Sequence, residues 1–197
     1  MARFTAFLDA CVLVPIMPCD TLLRMADSGA FRPLWSARVI EEAQRALERI
    51  HPNLDPSRFQ SRFRSMNESF EDALVEGWEP LEARLELPDQ DDRHVLAAAI
   101  RGRADAIVTA NIKDFPRSVL EPLGLEAITV DEFLMDQLDL GPNETIQVLE
   151  EQARQVRHPP VDLPGLLDRL ARSGAPKFAH TVRTAIEETR ADSAARA

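Results

Sequence analysis

Four carboxylates, Asp9, Glu42, Asp92 and Asp114, fall where an acid can do chemistry. Asp and Glu make up 33 of the 197 residues, so acids alone carry little information and their placement must carry the argument. Asp9 directly follows the apolar run Phe4–Leu8 and precedes Ala-Cys-Val-Leu-Val. A charge in such surroundings needs a partner, either backbone N–H groups in the turn after a strand or a metal or substrate. At about 100° per residue, Glu42 falls on the border of the helix face set by Val39, Ile40, Ala43, Leu47 and Ile50, while Glu41 points away. Asp92 lies one turn ahead of Val95, Leu96 and Ala99, on their apolar face, at a helix start where the dipole favours an acid. Asp91 sits nearer the edge, and Arg93 and His94 are expected to point out. Simple N-capping by Asp89, Asp91 or Asp92 is the alternative role there. Asp114 closes Thr109-Ala-Asn-Ile-Lys-Asp114, just past an apolar run; Asn111 can add a neutral oxygen, and Thr109 can orient a water or a phosphate.

Carboxylates held together repel unless a cation neutralises them. Hard oxygen donors select Mg²⁺ or Mn²⁺, and such an ion can activate water for in-line attack on a phosphodiester. This chemistry requires no Cys or His. Cys11 and Cys19 are the only cysteines, and no two of His51, His94, His158 and His180 have metal-ligand spacing along a helix.

The elements that must position these acids alternate between strand and helix. Phe4–Leu8, Pro33–Ser36, Ala106–Thr109 and Leu125–Val130 read as strands. Helices are expected over Asp20–Gly29, with Asp20 as N-cap and Gly29 as stop, and over Ser36–Ile50, with Ser36 as cap. A polar helix is expected over Ser57–Val75, another through Val95–Arg101 ended by Gly102, and another over Asp131–Leu138. This alternation predicts an α/β fold with a parallel β-sheet flanked by helices. Right-handed crossovers then gather the strand C-termini on one edge, where such sheets bind ligands. After Gly141-Pro142 only helical patterns remain, broken at His158-Pro-Pro160, Asp162-Leu-Pro164 and Gly174-Ala-Pro176. The expected division is residues 1–140 for the α/β domain and 141–197 for a small helical C-terminal extension.

The net charge is −10. The first 140 residues carry the whole excess, with 25 acids against 15 bases. That balance argues against general electrostatic capture of nucleic acid, though not against a nucleic-acid enzyme whose carboxylates bind metal. The apolar run Phe4–Met17 is interrupted by Asp9 and closed by Pro15 and Pro18, a pattern that fits neither a secretory signal nor a membrane span. A cytoplasmic protein is expected.

The motifs Leu8-Asp9-Ala-Cys-Val-Leu-Val-Pro, Ser36-x5-Glu42, Pro88-Asp-Gln-Asp-Asp-Arg-His-Val-Leu-Ala-Ala-Ala99 and Val108-Thr-Ala-Asn-Ile-Lys-Asp-Phe115 resemble, in that order, the PIN domain. The closest likeness is to VapC-type toxins of type II toxin–antitoxin pairs, in the longer subgroup with a helical C-terminal extension, and it covers roughly Arg3 to Leu138. The resemblance implies a Mg²⁺- or Mn²⁺-dependent endoribonuclease with Asp9, Glu42, Asp92 and Asp114 as catalytic metal ligands, Asn111 sharing the fourth role. It further implies a structured RNA substrate of the tRNA or rRNA class, a small cognate antitoxin and a homodimer. Cys11 departs from the Ser, Thr or Asn usual two residues after the first Asp, which removes a hydroxyl or amide near the metal. Arg58, Arg62 and Arg64, interleaved with Phe59 and Phe63, are candidates for holding RNA; a solvated helix face is the simpler reading of them.

Other classes fare worse. A haloacid-type phosphatase needs a second acid where Cys11 stands, and a dinucleotide-binding enzyme needs a glycine-rich turn after the first strand. The surviving alternative is a non-catalytic PIN-like module that binds protein or RNA.

Overall fold

The computed structural model describes residues 3–157 and 159–195, and the side chains of the last helix through Glu188. His158, where sequence placed a break, lies outside the described residues. In chain order the elements are β1 (Thr5–Leu8), α1 (Ala10–Leu13), α2 (Ile16–Asp27), β2 (Arg32–Leu34), α3 (Ala37–Ile50), α4 (Ser57–Ser69), α5 (Glu79–Glu82), α6 (Arg93–Gly102), β3 (Ala106–Val108), α7 (Arg117–Leu120), β4 (Glu126–Ile128), α8 (Val130–Leu140), α9 (Pro142–Gln155), α10 (Leu163–Arg172) and α11 (Pro176–Ala195).

Contacts gather these elements into two units, one running to Pro15 and resuming over Gly29–Thr129, the other made of Ile16–Ser28 with the chain from Val130 onward. The boundary expected at 140/141 therefore falls inside the second unit. The reason is packing: α8 lies against α9 and α11, and α2, from early in the chain, lies against α9 and α10.

In the first unit the strands pair in the order β2-β1-β3-β4, all parallel. Every residue of β1 and β3 is buried, which is why both read as near-continuous apolar runs, with only Thr5 polar, rather than as alternating ones. Helix α6 packs on β1 and β3. Leu8 pairs with Val108, and Val108 with Ile128, so Asp9 and Thr109 leave the sheet side by side at its C-terminal edge. Each still makes one ladder bond, from Asp9 N–H to the Val108 carbonyl at 3.1 Å and from Thr109 N–H to the Ile128 carbonyl at 3.0 Å.

Several boundaries differ from expectation for identifiable reasons. Helix α2 starts at Ile16, not Asp20, because Pro18 sits in the first turn, where a missing N–H costs nothing; Asp20 instead bonds Arg24 at 3.0 Å. Gly29 does supply the stop, with φ +91°. Helix α4 ends at Ser69, since Ala73 and Val75 turn back to bond the Trp35 backbone at 3.0 and 2.8 Å. Gly102 does not end α6 but belongs to it, and left-handed Arg103 caps it at φ 55°. A Cβ at Gly102 would stand 2.5 Å from Leu34 Cδ1 and 3.0 Å from Val75 Cγ2, so glycine is there for close packing and not for a turn.

The second unit is all-helical in its described residues. Leu166, Leu167, Leu170, Phe178 and Val182 are buried between α10 and α11. Asp131, itself buried, accepts from the Lys177 and Phe178 N–H groups at 3.1 and 2.9 Å and so caps α11. Thr21 of α2 donates to Gln152 of α9 at 2.7 Å in a buried pair.

Candidate active site

The strand-to-helix turn after β1 presents Asp9, which is 5% exposed. Both its oxygens have donors. Oδ1 accepts from Ala10 N–H at 2.6 Å, and Oδ2 accepts from the Thr109 hydroxyl at 2.7 Å and the Cys11 thiol at 3.1 Å. Thr109, fully buried, is therefore occupied with Asp9 instead of standing ready for a water or a phosphate, and its oxygen accepts from Asn111 N–H at 3.0 Å. Cys11 keeps a donor where a hydroxyl or amide was expected. Burial, then the neighbouring Asp9 charge, push its thiol up to about 12, so it stays protonated, donates to Asp9 and accepts from Ala110 N–H at 3.2 Å.

Asp92 occupies the N-cap position of α6 but makes no cap bond; Asp89 accepts from Asp91 N–H at 2.9 Å in the turn ahead of the helix. Asp91 is exposed. Burial, then the charges of Asp9, Asp89 and Asp114, push the Asp92 carboxyl up to about 6. Asp9, Asp92 and Asp114 thus share one electrostatic neighbourhood. Asp114 is half-buried in a 3-10 turn over Ile112–Asp114, whereas Asn111 is exposed.

Glu42 is half-buried on α3, and Glu41 faces solvent, as the helix phase requires. Ser36 positions this helix by accepting from Val39 N–H at 3.2 Å. Glu42 Oε1 receives Arg38 Nε at 3.3 Å and His94 Nε2 at 3.1 Å, while Arg38 also reaches Glu82 at 2.9 Å. Burial opposes the Glu42 charge, but the hydrogen bond from His94 and the Arg38 guanidinium outweigh it and hold the carboxyl below its usual value.

His94 was expected to point outward. It is 1% exposed and packs on Trp78 with ring centroids 5.9 Å apart. The wheel centred on Val95, Leu96 and Ala99 misjudged it because α6 is buried without interruption from His94 to Ala99, so a single apolar face does not describe this helix. Arg93 is likewise half-buried, with its Nε enclosed and unbonded. Among the candidate RNA contacts, Arg58 and Arg64 are exposed. Arg62 is not free, because it bonds the Leu13 and Val14 carbonyls at 2.6 and 3.4 Å.

Among the described residues, no three His, Cys, Asp or Glu side chains as arranged could hold a metal ion between them. The donor chemistry nevertheless fits a hard divalent cation. Asp92 and Asp114 accept no hydrogen bond among the described residues, and burial, then repulsion from the neighbouring acids, raises Asp92.

Comparison with known proteins bears on both units. The PIN-domain family model matches residues 5–113, and that of the VapC50 C-terminal domain matches residues 130–184. A curated relative from Mycobacterium tuberculosis (strain ATCC 25618 / H37Rv), named "Putative ribonuclease VapC50", is 45% identical over 92 residues, which are 47% of this chain and 54% of the relative. The chain thus spans about half the length of the curated relative it matches. No solved structure matches. Among the described residues no helix is long and apolar enough to cross a membrane.

Proposed function

Since the chain belongs to the PIN-domain family, we propose that it is a divalent-metal-dependent endoribonuclease and the toxin of a type II toxin–antitoxin pair. The observation that carries this reading is the gathering of Asp9, Asp92 and Asp114 at one place, where burial and then the charges of Asp9, Asp89 and Asp114 push the Asp92 carboxyl up to about 6. A fold that keeps carboxylates in mutual repulsion at the C-terminal edge of a parallel sheet has a use for a cation there.

Asp9, Asp92, Asp114 and Glu42 would hold Mg²⁺ or Mn²⁺. When bound, such an ion activates water and offsets the charge that develops on the scissile phosphate. The chain's own residues prepare the site. Thr109 and Cys11 fix Asp9 through Oδ2, α6 carries Asp92 at its first turn, and the turn before Phe115 brings up Asp114. The first 140 residues hold ten more acids than bases, so the substrate is recognised through the site and local cations rather than through a general basic surface. Arg58 and Arg64 are the exposed cations proposed to meet RNA. The substrate class is structured RNA such as tRNA or rRNA; the restraining partner is a small cognate antitoxin, and the working form is a homodimer.

The competing reading, a non-catalytic module, draws on the Arg38 ion pair and the His94 hydrogen bond that already satisfy Glu42. Metal response separates the two. Mg²⁺ or Mn²⁺ is expected to raise the melting temperature of the wild type and not that of Asp9→Asn. Purified protein is expected to cleave total cellular RNA, with expression toxic to the host and relieved by Asp92→Asn. A wild type that shows no metal response and leaves cellular RNA intact overturns the nuclease reading.

A further inference from the structure

Two bonds reach the Glu42 carboxylate, and both land on the same oxygen. Arg38 Nε and His94 Nε2 meet Oε1 at 3.3 and 3.1 Å, and Oε2 has no bonded partner among the described residues. Both donors are themselves held. Arg38 is drawn to Glu82 at 2.9 Å, and His94 is enclosed against Trp78 with 1% of its surface exposed. The other ring nitrogen, Nδ1, is buried with no hydrogen-bond partner. A proton on Nδ1 would strand a donor in the core, which is more costly than an idle lone pair. The imidazole therefore carries its proton on Nε2, directed at Glu42.

We propose that His94 is a positioning residue which, with Arg38, locks Glu42 Oε1 and leaves Oε2 alone to meet a divalent cation. The proposal rests on reading Glu42 as a metal ligand. It explains why a histidine opens a buried run that is otherwise Val, Leu and Ala, and why its ring is oriented by an aromatic wall with no second hydrogen bond. A carboxylate on the border of α3 has several rotamers open to it. Two donors on one oxygen remove that freedom before the cation arrives, in the way that outer partners of a ligand usually set metal affinity.

The test uses the full-length protein and Mn²⁺ alone, with bound ion counted from the loss of the free-ion paramagnetic resonance signal. His94→Phe fills the space and removes the donor, and it is expected to weaken Mn²⁺ binding by about tenfold. His94→Gln, whose amide can reach Oε1, is expected to restore binding to within about threefold of wild type, a rescue that a purely structural role would not produce. In a Glu42→Gln background, His94→Phe is expected to cause no further loss. If Glu42→Gln weakens Mn²⁺ binding while His94→Phe leaves it unchanged, the positioning role is wrong. If Glu42→Gln itself leaves binding unchanged, Glu42 is no ligand and the underlying reading falls instead. Should His94→Phe not fold, His94→Asn, too short to reach Oε1, replaces it in the same comparison against His94→Gln; equal affinity of those two variants overturns the proposal.

Discussion

Removing the charge of Asp92 should stabilise the metal-free protein at neutral pH. The carboxyl rises from 3.8 to about 6 on folding, roughly two pH units at about 1.4 kcal/mol each, or a ceiling of about 3 kcal/mol. Asp92 is only half-buried, so solvent screening reduces the realised effect to about 1 kcal/mol. Because the folded value lies above the unfolded one, the protonated carboxyl contributes stability fully below about pH 4, and that contribution is lost as pH climbs through about 6. Asp92→Asn imitates the protonated form at every pH. In EDTA at pH 7.5 the variant should melt about 2–4 °C above wild type, and the gap should narrow as pH falls to 4.5. Differential scanning fluorimetry across that range, supported by urea titrations, measures both. Adding Mn²⁺ should then reverse the ranking, since ligand binding stabilises only a protein that can bind it. No gain at pH 7.5, or a gain that persists undiminished at pH 4.5, would show that burial and the neighbouring carboxylates do not raise Asp92.

Three further substitutions probe the frame that carries the site. Ser36→Ala deletes the cap of α3, whose Oγ accepts from Val39 N–H, and should cost about 1 kcal/mol in urea unfolding. Gly102→Ala gains helix propensity but drives a methyl to 2.5 Å from buried Leu34; the clash should win by about 1–3 kcal/mol, with partial recovery when Leu34→Val is added. Asp131→Ala leaves the Lys177 and Phe178 N–H groups without their acceptor, at a cost of about 1–3 kcal/mol, and should speed hydrogen exchange in the first turn of α11.

The parallel sheet was readable from sequence because β1 and β3 are buried on both faces and therefore spell near-continuous apolar runs. Asp9 and the contrast of Glu42 with Glu41 were readable because strand ends and helix phase are local properties. What sequence concealed was set by tertiary contact. His94 turns inward because Trp78 and Glu42 close over a helix side that periodicity assigns to solvent. Gly102 looks like a stop until Leu34, distant in sequence, is seen to occupy the space of its missing side chain. Arg62 looks like a free cation until the Leu13 and Val14 carbonyls claim it. The Trp78–His94 pairing had one faint signal, a lone histidine opening the Val-Leu-Ala-Ala-Ala run.

Helix α2 belongs by its contacts to a unit whose other helices are encoded at the far end of the chain. During synthesis it emerges more than about a hundred residues before α9, which at about 5–20 residues per second leaves its apolar side waiting for on the order of ten seconds. Strands β1 and β2 precede and follow it in the chain, so they can pair before α2 has met its own partners. A ribosome halted near Leu140 therefore holds a chain with Leu22 and Met25, buried in the finished protein, still uncovered by α9 and α10. Such a nascent chain is a substrate for chaperones and proteases, and release of the last helices becomes the step that ends its vulnerability.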